Sequence, residues 1–360
     1  MMIFFELLRY ALNIDANPPA ISADDWEKMH QLAREQCLLG VIYKAVERMP
    51  EQHRPPKRLL LQWFVEAEQI HHQNEKVYEA CAVVTELFEK AHIGCCVLKG
   101  QGNAVMYDDP FSRMPGDIDL WVDSSKVIIE DGFMIVGNKR LKTGAHVYHH
   151  VDVEDVHGVS LEVHTKPSFM NNLIHNKNMQ FFFSNNAPAQ FAHKVEMPEG
   201  QGTINVPTPY FNIVYQLAHI SKHFFQEGIG LRQFVDYYFV LRKADGYSHK
   251  ELQELLSSLG LYKFAQAVMY VEQQVFSLEE RYFIAPVSEK YGRFLLNEIM
   301  LSGNFGAYDK RVDDFHRKTA LGRNLERLNR DIRLMRLFPS EALWEPVFRI
   351  WHFFWRIKNT

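Results

Sequence analysis

Three stretches decide how this chain reads: Val97-Leu98-Lys99-Gly100, then Arg113-Met114-Pro115-Gly116-Asp117-Ile118-Asp119-Leu120-Trp121-Val122, then Val159-Ser160-Leu161-Glu162-Val163-His164. The apolar run Cys95–Leu98 follows Gly94 and reads as a buried strand that ends in a glycine turn. The second stretch begins by alternating polar and apolar residues. In a strand, side chains at i and i+2 point the same way, so Asp117 and Asp119 share a face while Ile118 and Leu120 pack on the other. In the third stretch Leu161 and Val163 share one face and Glu162 lies on the opposite one. If that strand runs beside the Asp-Ile-Asp strand, Glu162 completes a set of three carboxylates. Such groups repel unless a cation sits between them.

Mg²⁺ is a hard ion that takes oxygen ligands and completes its shell with water and phosphate oxygens. Three carboxylates can hold two such ions, one activating an attacking hydroxyl and the other neutralising a triphosphate and its leaving pyrophosphate. Asp-x-Asp alone is common on exposed edge strands and turns. The ordered set is far more specific: strand, glycine turn, short helix, Arg-containing loop, Asp-x-Asp strand, Glu-bearing strand.

Outward from this centre the texture is helical. Ser22-Ala23-Asp24-Asp25 is a helix start before Trp26. Pro55-Pro56 breaks the next connection, and a helix resumes through Leu59–Ile70. Val77, Cys81, Val84 and Phe88 recur at helical spacing over a second pattern, Glu75–Ala91. Further strands are expected over Gly132–Val136 and His146–Val153. From Pro209 the pattern is helical again, with candidates Phe211–Phe225, Leu231–Leu241, Lys250–Leu259, Tyr262–Phe276 and Glu289–Leu301. The expected class is α+β. A helical region, 1–74, precedes a mixed-sheet domain, 75–206, and a C-terminal helical domain, 207–360, follows.

The chain has 360 residues, of which 47% are hydrophobic and 23% charged, an ordinary globular balance. With 17 histidines held neutral, the formal net charge is −4. That charge supplies no global field for nucleic acid. The four cysteines form no Cys-x-x-Cys pair, which fits a reducing cytoplasm. No uncharged apolar stretch reaches the roughly 18 residues of a membrane span.

The three stretches resemble the polymerase-β-type nucleotidyltransferases. They are more closely similar to a bacterial family of uncharacterised nucleotidyltransferases, through Leu98-Lys99-Gly100, Tyr107, Arg113, Asp117-Ile118-Asp119-Leu120, Glu162-Val163-His164 and the later Gly230–Asp236 element. The likeness spans about residues 75–240. It implies a polymerase-β-like core with a small mixed sheet. It also implies transfer of a nucleoside monophosphate from an NTP to an acceptor hydroxyl, with release of pyrophosphate. Asp117 and Asp119 would bind two Mg²⁺ or Mn²⁺ ions, and Glu162 would bind the catalytic one and help deprotonate the acceptor. Lys99, Gly100, Gln101 and Arg113 would meet the nucleotide phosphates. Gly100-Gln101-Gly102 departs from the Gly-Ser or Gly-Gly of many members, which removes a serine hydroxyl from the phosphate contact. A small molecule or protein acceptor suits the acidic chain better than a long nucleic acid.

Other features have plainer readings. Lys99 is a phosphate contact or a solvated strand end, and Arg113 clamps phosphate or orients a carboxylate. His164 shares Glu162's face as a supporting partner. His219 and His223 are one helical turn apart, a spacing that can bind zinc but lacks a third ligand. Arg232 and Asp236 are spaced to pair with each other. The basic stretch 311–336 is diluted by acids and reads as a solvated face. The aromatic segment Leu343–Trp355 is either a docked helix or a membrane-surface helix. Two other functions share some of these features. A metal-dependent glycosyltransferase also uses Asp-x-Asp, but normally after a sizeable α/β unit, whereas helices precede it here. A nucleotide-binding scaffold would keep the fold without turnover.

Overall fold

The computed structural model describes residues 1–312 and 319–359. It is a mixed α+β structure in which helices flank a curled seven-stranded sheet. Helices α1 (Met2–Ala11), α2 (Trp26–Glu35) and α3 (Leu39–Arg48) lead into α4 (Lys57–Lys90). In α1, Phe4, Leu7, Leu8 and Ala11 form one buried face at the i, i+3, i+4, i+7 spacing. The 34-residue α4 begins directly after Pro55-Pro56. It merges the two helical patterns that the sequence suggested separately, so the expected 74/75 boundary falls inside it. Its first half buries Leu59, Trp63 and Ile70 among the helices, while Val77, Cys81, Val84 and Phe88 pack under the sheet.

The sheet comprises β1 (Cys95–Leu98), β2 (Ile118–Val122), β3 (Ile128–Glu130), β4 (Phe133–Val136), β5 (Lys139–His146), β6 (His150–Val156) and β7 (Val159–His164), in the order β1-β2-β7-β6-β5-β4-β3. Only β2 and β7 pair in parallel. The stretch expected as one strand, His146–Val153, divides at a turn between β5 and β6. The short α5 (Gly100–Ala104) follows β1, and α6 (Leu173–Gln190) follows β7. A two-stranded sheet, β8 (Lys194–Glu196) and β9 (Thr203–Asn205), precedes the C-terminal helices. Those are α7 (Pro209–Gln226), α8 (Leu231–Lys243), α9 (His249–Ser258), α10 (Tyr262–Phe276), α11 (Glu289–Ser302), α12 (Ala320–Met335) and α13 (Pro339–Asn359).

Strand alternation gives the sheet two dressed faces. Val97, Ile118, Leu120, Leu161 and Val163 form a core with α4. Cys96, Leu98 and Trp121 face the helical core, where Trp121 stacks on Phe211 of α7 with ring centroids 5.5 Å apart. Each fully buried side chain of this kind contributes about 1.5–3 kcal/mol of transfer free energy. The helical core draws on α1–α4 and α6–α12 together. The sheet face that carries Asp119 is therefore the one roofed by the C-terminal helices.

Candidate active site

Register brings the carboxylates together. Leu98 pairs with Asp119 across β1 and β2, Asp119 with Glu162 across β2 and β7, and Asp152 with Glu162 across β6 and β7. Directly paired residues point to one side, so Asp119, Glu162 and Asp152 form a row. Asp117 lies just before β2 and is half-buried. It lines a cleft with Lys99, Gly100, Asp119 and the α7 residues Gln216 and His219. Lys99 and Gly100 both have φ of 41°, so the chain leaves β1 in a sharp left-handed turn. Glycine takes that conformation without strain, whereas Lys99 takes it at a cost.

Asp119 is 2% exposed at its side chain and fully engaged. Lys99 Nζ lies 2.8 Å from Oδ2, and His164 Nε2 lies 2.8 Å from Oδ1 and 3.3 Å from Glu162 Oε2. His150 Nδ1 is 3.1 Å from that same Glu162 oxygen, and its Nε2 is 3.3 Å from Asp152. Burial pushes the Asp119 carboxyl up, but Lys99 and His164 outweigh it and hold the group well below the ordinary range. Glu162 behaves alike: burial raises it, and the His164 hydrogen bond brings it below normal. Burial lowers His164, yet its two carboxylate partners raise it overall. Asp117 moves the other way, pushed up first by the Asp119 charge and then by burial.

The residues present fit a divalent cation. Asp119, Glu162 and His164 offer ligand atoms within 4.8 Å of one another, as do His150, Asp152 and Glu162. Asp117 belongs to neither group. Its raised carboxyl reports negative charge that Lys99 does not fully offset, and a cation between Asp117 and Asp119 would relieve that repulsion. Oxygen donors on a half-buried face are the set that Mg²⁺ and Mn²⁺ take.

The four expected phosphate contacts take different positions. Lys99 pairs with Asp119, and Gly100 stands at the cleft mouth. Gln101 is buried and donates through Nε2 to Asn74 Oδ1 at 2.7 Å, so its side chain is turned into the protein. Arg113 is also buried and places Nε and Nη2 on the two Asp236 oxygens, each at 2.8 Å. Asp236 thus pairs with Arg113 and not with Arg232, whose Nη1 donates to Met114 O. His219 is buried, and His223 bonds Glu227 at 2.6 Å. Neither belongs to a metal-competent group among the described residues.

The sequence reading did not single out His149, His150, Asp152 or Lys222. His149, in the turn before β6, and His150, the first residue of β6, wall the site, and Lys222 Nζ of α7 lies 2.6 Å from His149 Nε2. Burial and then the Lys222 charge hold His149 well below the ordinary histidine range. Burial, with Lys99 nearby, brings Lys222 down to about 8. The adjacent His149-His150 pair inside an expected strand was the available signal.

A family model described as an uncharacterised nucleotidyltransferase matches residues 22–277. No curated protein matches this chain. Among solved structures, an antigenic nucleotidyltransferase-like protein from Paracoccidioides brasiliensis is similar at 12% identity and a TM-score of 0.34. That likeness covers 61% of this chain and 97% of the other.

Proposed function

This chain belongs to the family of uncharacterised nucleotidyltransferases, and from that premise we propose that it transfers a nucleoside monophosphate from an NTP to an acceptor hydroxyl on a polymerase-β-like core. The observation that carries the reading is the direct pairing of Asp119 with Glu162 across the parallel strands, with Asp117 two residues before Asp119 at the Gly100 turn. Asp117, Asp119 and Glu162 would hold Mg²⁺ or Mn²⁺, which when bound neutralises phosphate charge and lowers the pKa of a coordinated hydroxyl.

The chain's own groups prepare that site. Lys99 and His164 keep Asp119 ionised, and His164 does the same for Glu162. Gly100 has no side chain to block phosphate, and the Lys99 ammonium, held on Asp119, lies in the same cleft as a positive point charge. Buried Gln216 and His219 roof the cleft and restrict water. In the reaction the acceptor oxygen bonds to the α-phosphorus, the bond from that phosphorus to pyrophosphate breaks, and the hydroxyl proton leaves to a carboxylate or solvent.

A scaffold without turnover has two observations on its side. Lys99 already pairs with Asp119, and Gln101, at the position where many members carry a hydroxyl or glycine, faces Asn74. Calorimetric titration of each NTP with Mn²⁺ or Mg²⁺, beside an Asp117→Ala/Asp119→Ala double variant, tests the proposal, followed by pyrophosphate release with candidate acceptors. Metal-dependent binding that the variant loses is expected. A folded wild-type protein that binds no nucleotide with either metal would overturn the reading.

A further inference from the structure

The helical pair α12 and α13 carries two apolar stripes that nothing in the described chain covers. On α12, Leu321, Leu325, Leu328, Ile332 and Met335 are 37–67% exposed. On α13, Leu343, Val347, Ile350, Phe354 and Ile357 are 49–66% exposed. Both sets advance by four, three, four and three residues, so each is a continuous seam along its helix. Trp351 and Phe353, 40% and 53% exposed, widen the seam on α13. Each stripe presents on the order of several hundred Å² of apolar side chain, the size of patch that marks an interaction site on a monomer.

The opposite sides of the two helices are satisfied. Leu334 and Phe338 enter the helical core, and Arg330 Nε donates to Phe224 O. Phe348 stacks on Phe169 with centroids 4.6 Å apart, and Trp351, at the border between the docked and open sides, keeps one edge on Tyr148 at 5.1 Å. The His352 ring accepts from Tyr148 N at 3.2 Å. The aromatic segment is therefore docked on one side and open on the other.

The charge pattern selects the occupant. Arg327, Arg336 and Lys358 are exposed. Arg336 and Lys358 each follow the last apolar residue of a stripe by one position, at its polar border. The acids of the pair are withdrawn: Asp331, Glu341 and Glu345 are buried, and half-buried Glu326 is held by Arg333 at 3.0 Å. A second copy would bring this cationic rim against its own like, which is destabilising. An anionic lipid surface complements it, with arginine and lysine at the headgroups and tryptophan and phenylalanine at the acyl boundary. No helix of the described residues is long and apolar enough to cross a bilayer, so the contact is with the membrane surface.

We infer that α12 and α13 form a peripheral docking face for an anionic membrane surface, with the two apolar seams inserted at the interface and the basic side chains on lipid phosphates. The inference is independent of the nucleotide site. Flotation of the full chain with vesicles of phosphatidylglycerol and phosphatidylcholine, against phosphatidylcholine alone, tests it at low and high salt. Binding is expected to be at least about tenfold stronger on the anionic vesicles, to fall with salt, and to blue-shift tryptophan emission. Ile350→Glu/Phe354→Glu changes only exposed side chains. It should lose about tenfold or more of that binding while keeping the wild-type circular dichroism and melting temperature. Absence of anionic-vesicle binding at low salt overturns the inference. A dimer by light scattering that this variant converts to monomer, with no vesicle binding, assigns the face to a second copy and also overturns it.

Discussion

Asp236 of α8 receives two parallel hydrogen bonds from Arg113, Nε on Oδ1 and Nη2 on Oδ2, both 2.8 Å long. The Tyr107 hydroxyl adds a third, 2.7 Å from Oδ1. Arg113 stands four residues before Asp117, so this pair fixes the chain entering β2 to the helices that roof the site. Both partners are at most 5% exposed at their side chains. Removing one leaves the other buried and uncompensated, which costs about 3–5 kcal/mol. Asp236→Ala should therefore lower the urea-unfolding free energy by that amount and weaken metal-dependent nucleotide binding with it. A loss below about 1 kcal/mol would show that the pair is not what anchors the loop.

Gln101 tests the altered glycine turn. Asn74 Nδ2 donates to the carbonyls of Ile70, Phe111 and Arg113, and its Oδ1 accepts from Gln101. Gln101→Ala strands that acceptor in the interior, at about 1–3 kcal/mol. Nucleotide affinity should change by less than about threefold, since the side chain is turned away from the cleft. An unchanged melting temperature with abolished nucleotide binding would make Gln101 a ligand after all.

His164 offers a test of the carboxylate row that does not depend on turnover. Its Nε2 bridges Asp119 and Glu162, and groups that orient metal ligands are worth about 10–100-fold in metal affinity. His164→Ala should weaken Mn²⁺ binding by that factor, read by electron paramagnetic resonance of the free ion. Asp119→Asn should remove the binding altogether. Equal Mn²⁺ affinity in His164→Ala and wild type would exclude His164 from the site.

The strands carrying Asp119 and Glu162 were legible because alternation with Ile118, Leu120, Leu161 and Val163 sorts polar from apolar on a half-buried sheet. Their adjacency was a conditional reading, since pairing between segments some 40 residues apart is a tertiary fact. Strand β5 escaped notice because Lys139, Arg140 and Lys142 leave it little apolar pattern, and α6 because its asparagines and Pro188 are poor helix formers. The Arg113–Asp236 pair could not be read either. Arg232 lies one turn from Asp236 on the same helix, and sequence distance favours that partner over one 123 residues away. Within the basic stretch, Arg311 bonds Glu298 and Asp309, and Arg330 turns inward. Arg317 and Lys318 lie outside the described residues. A uniformly solvated face is thus not what the described part forms.

Glu272 of α10 is fully buried, and neither carboxyl oxygen has a hydrogen-bond partner among the described residues. Burial alone pushes its pKa well above the ordinary value near 4.5, so the native state holds it neutral. In the unfolded chain it ionises at its ordinary value. A raised folded-state pKa means the stabilising contribution is complete below that value and is lost as pH rises towards the folded one. Stability should therefore decline from about pH 5 upward by more than in Glu272→Met, which fills similar volume without a charge to desolvate. At pH 8 the variant should be the more stable protein by about 1–3 kcal/mol. Near pH 4.5 the gap should be at its smallest. Urea titrations across that range give the comparison, and a difference that stays constant with pH would mean that Glu272 finds a charge partner in the native state.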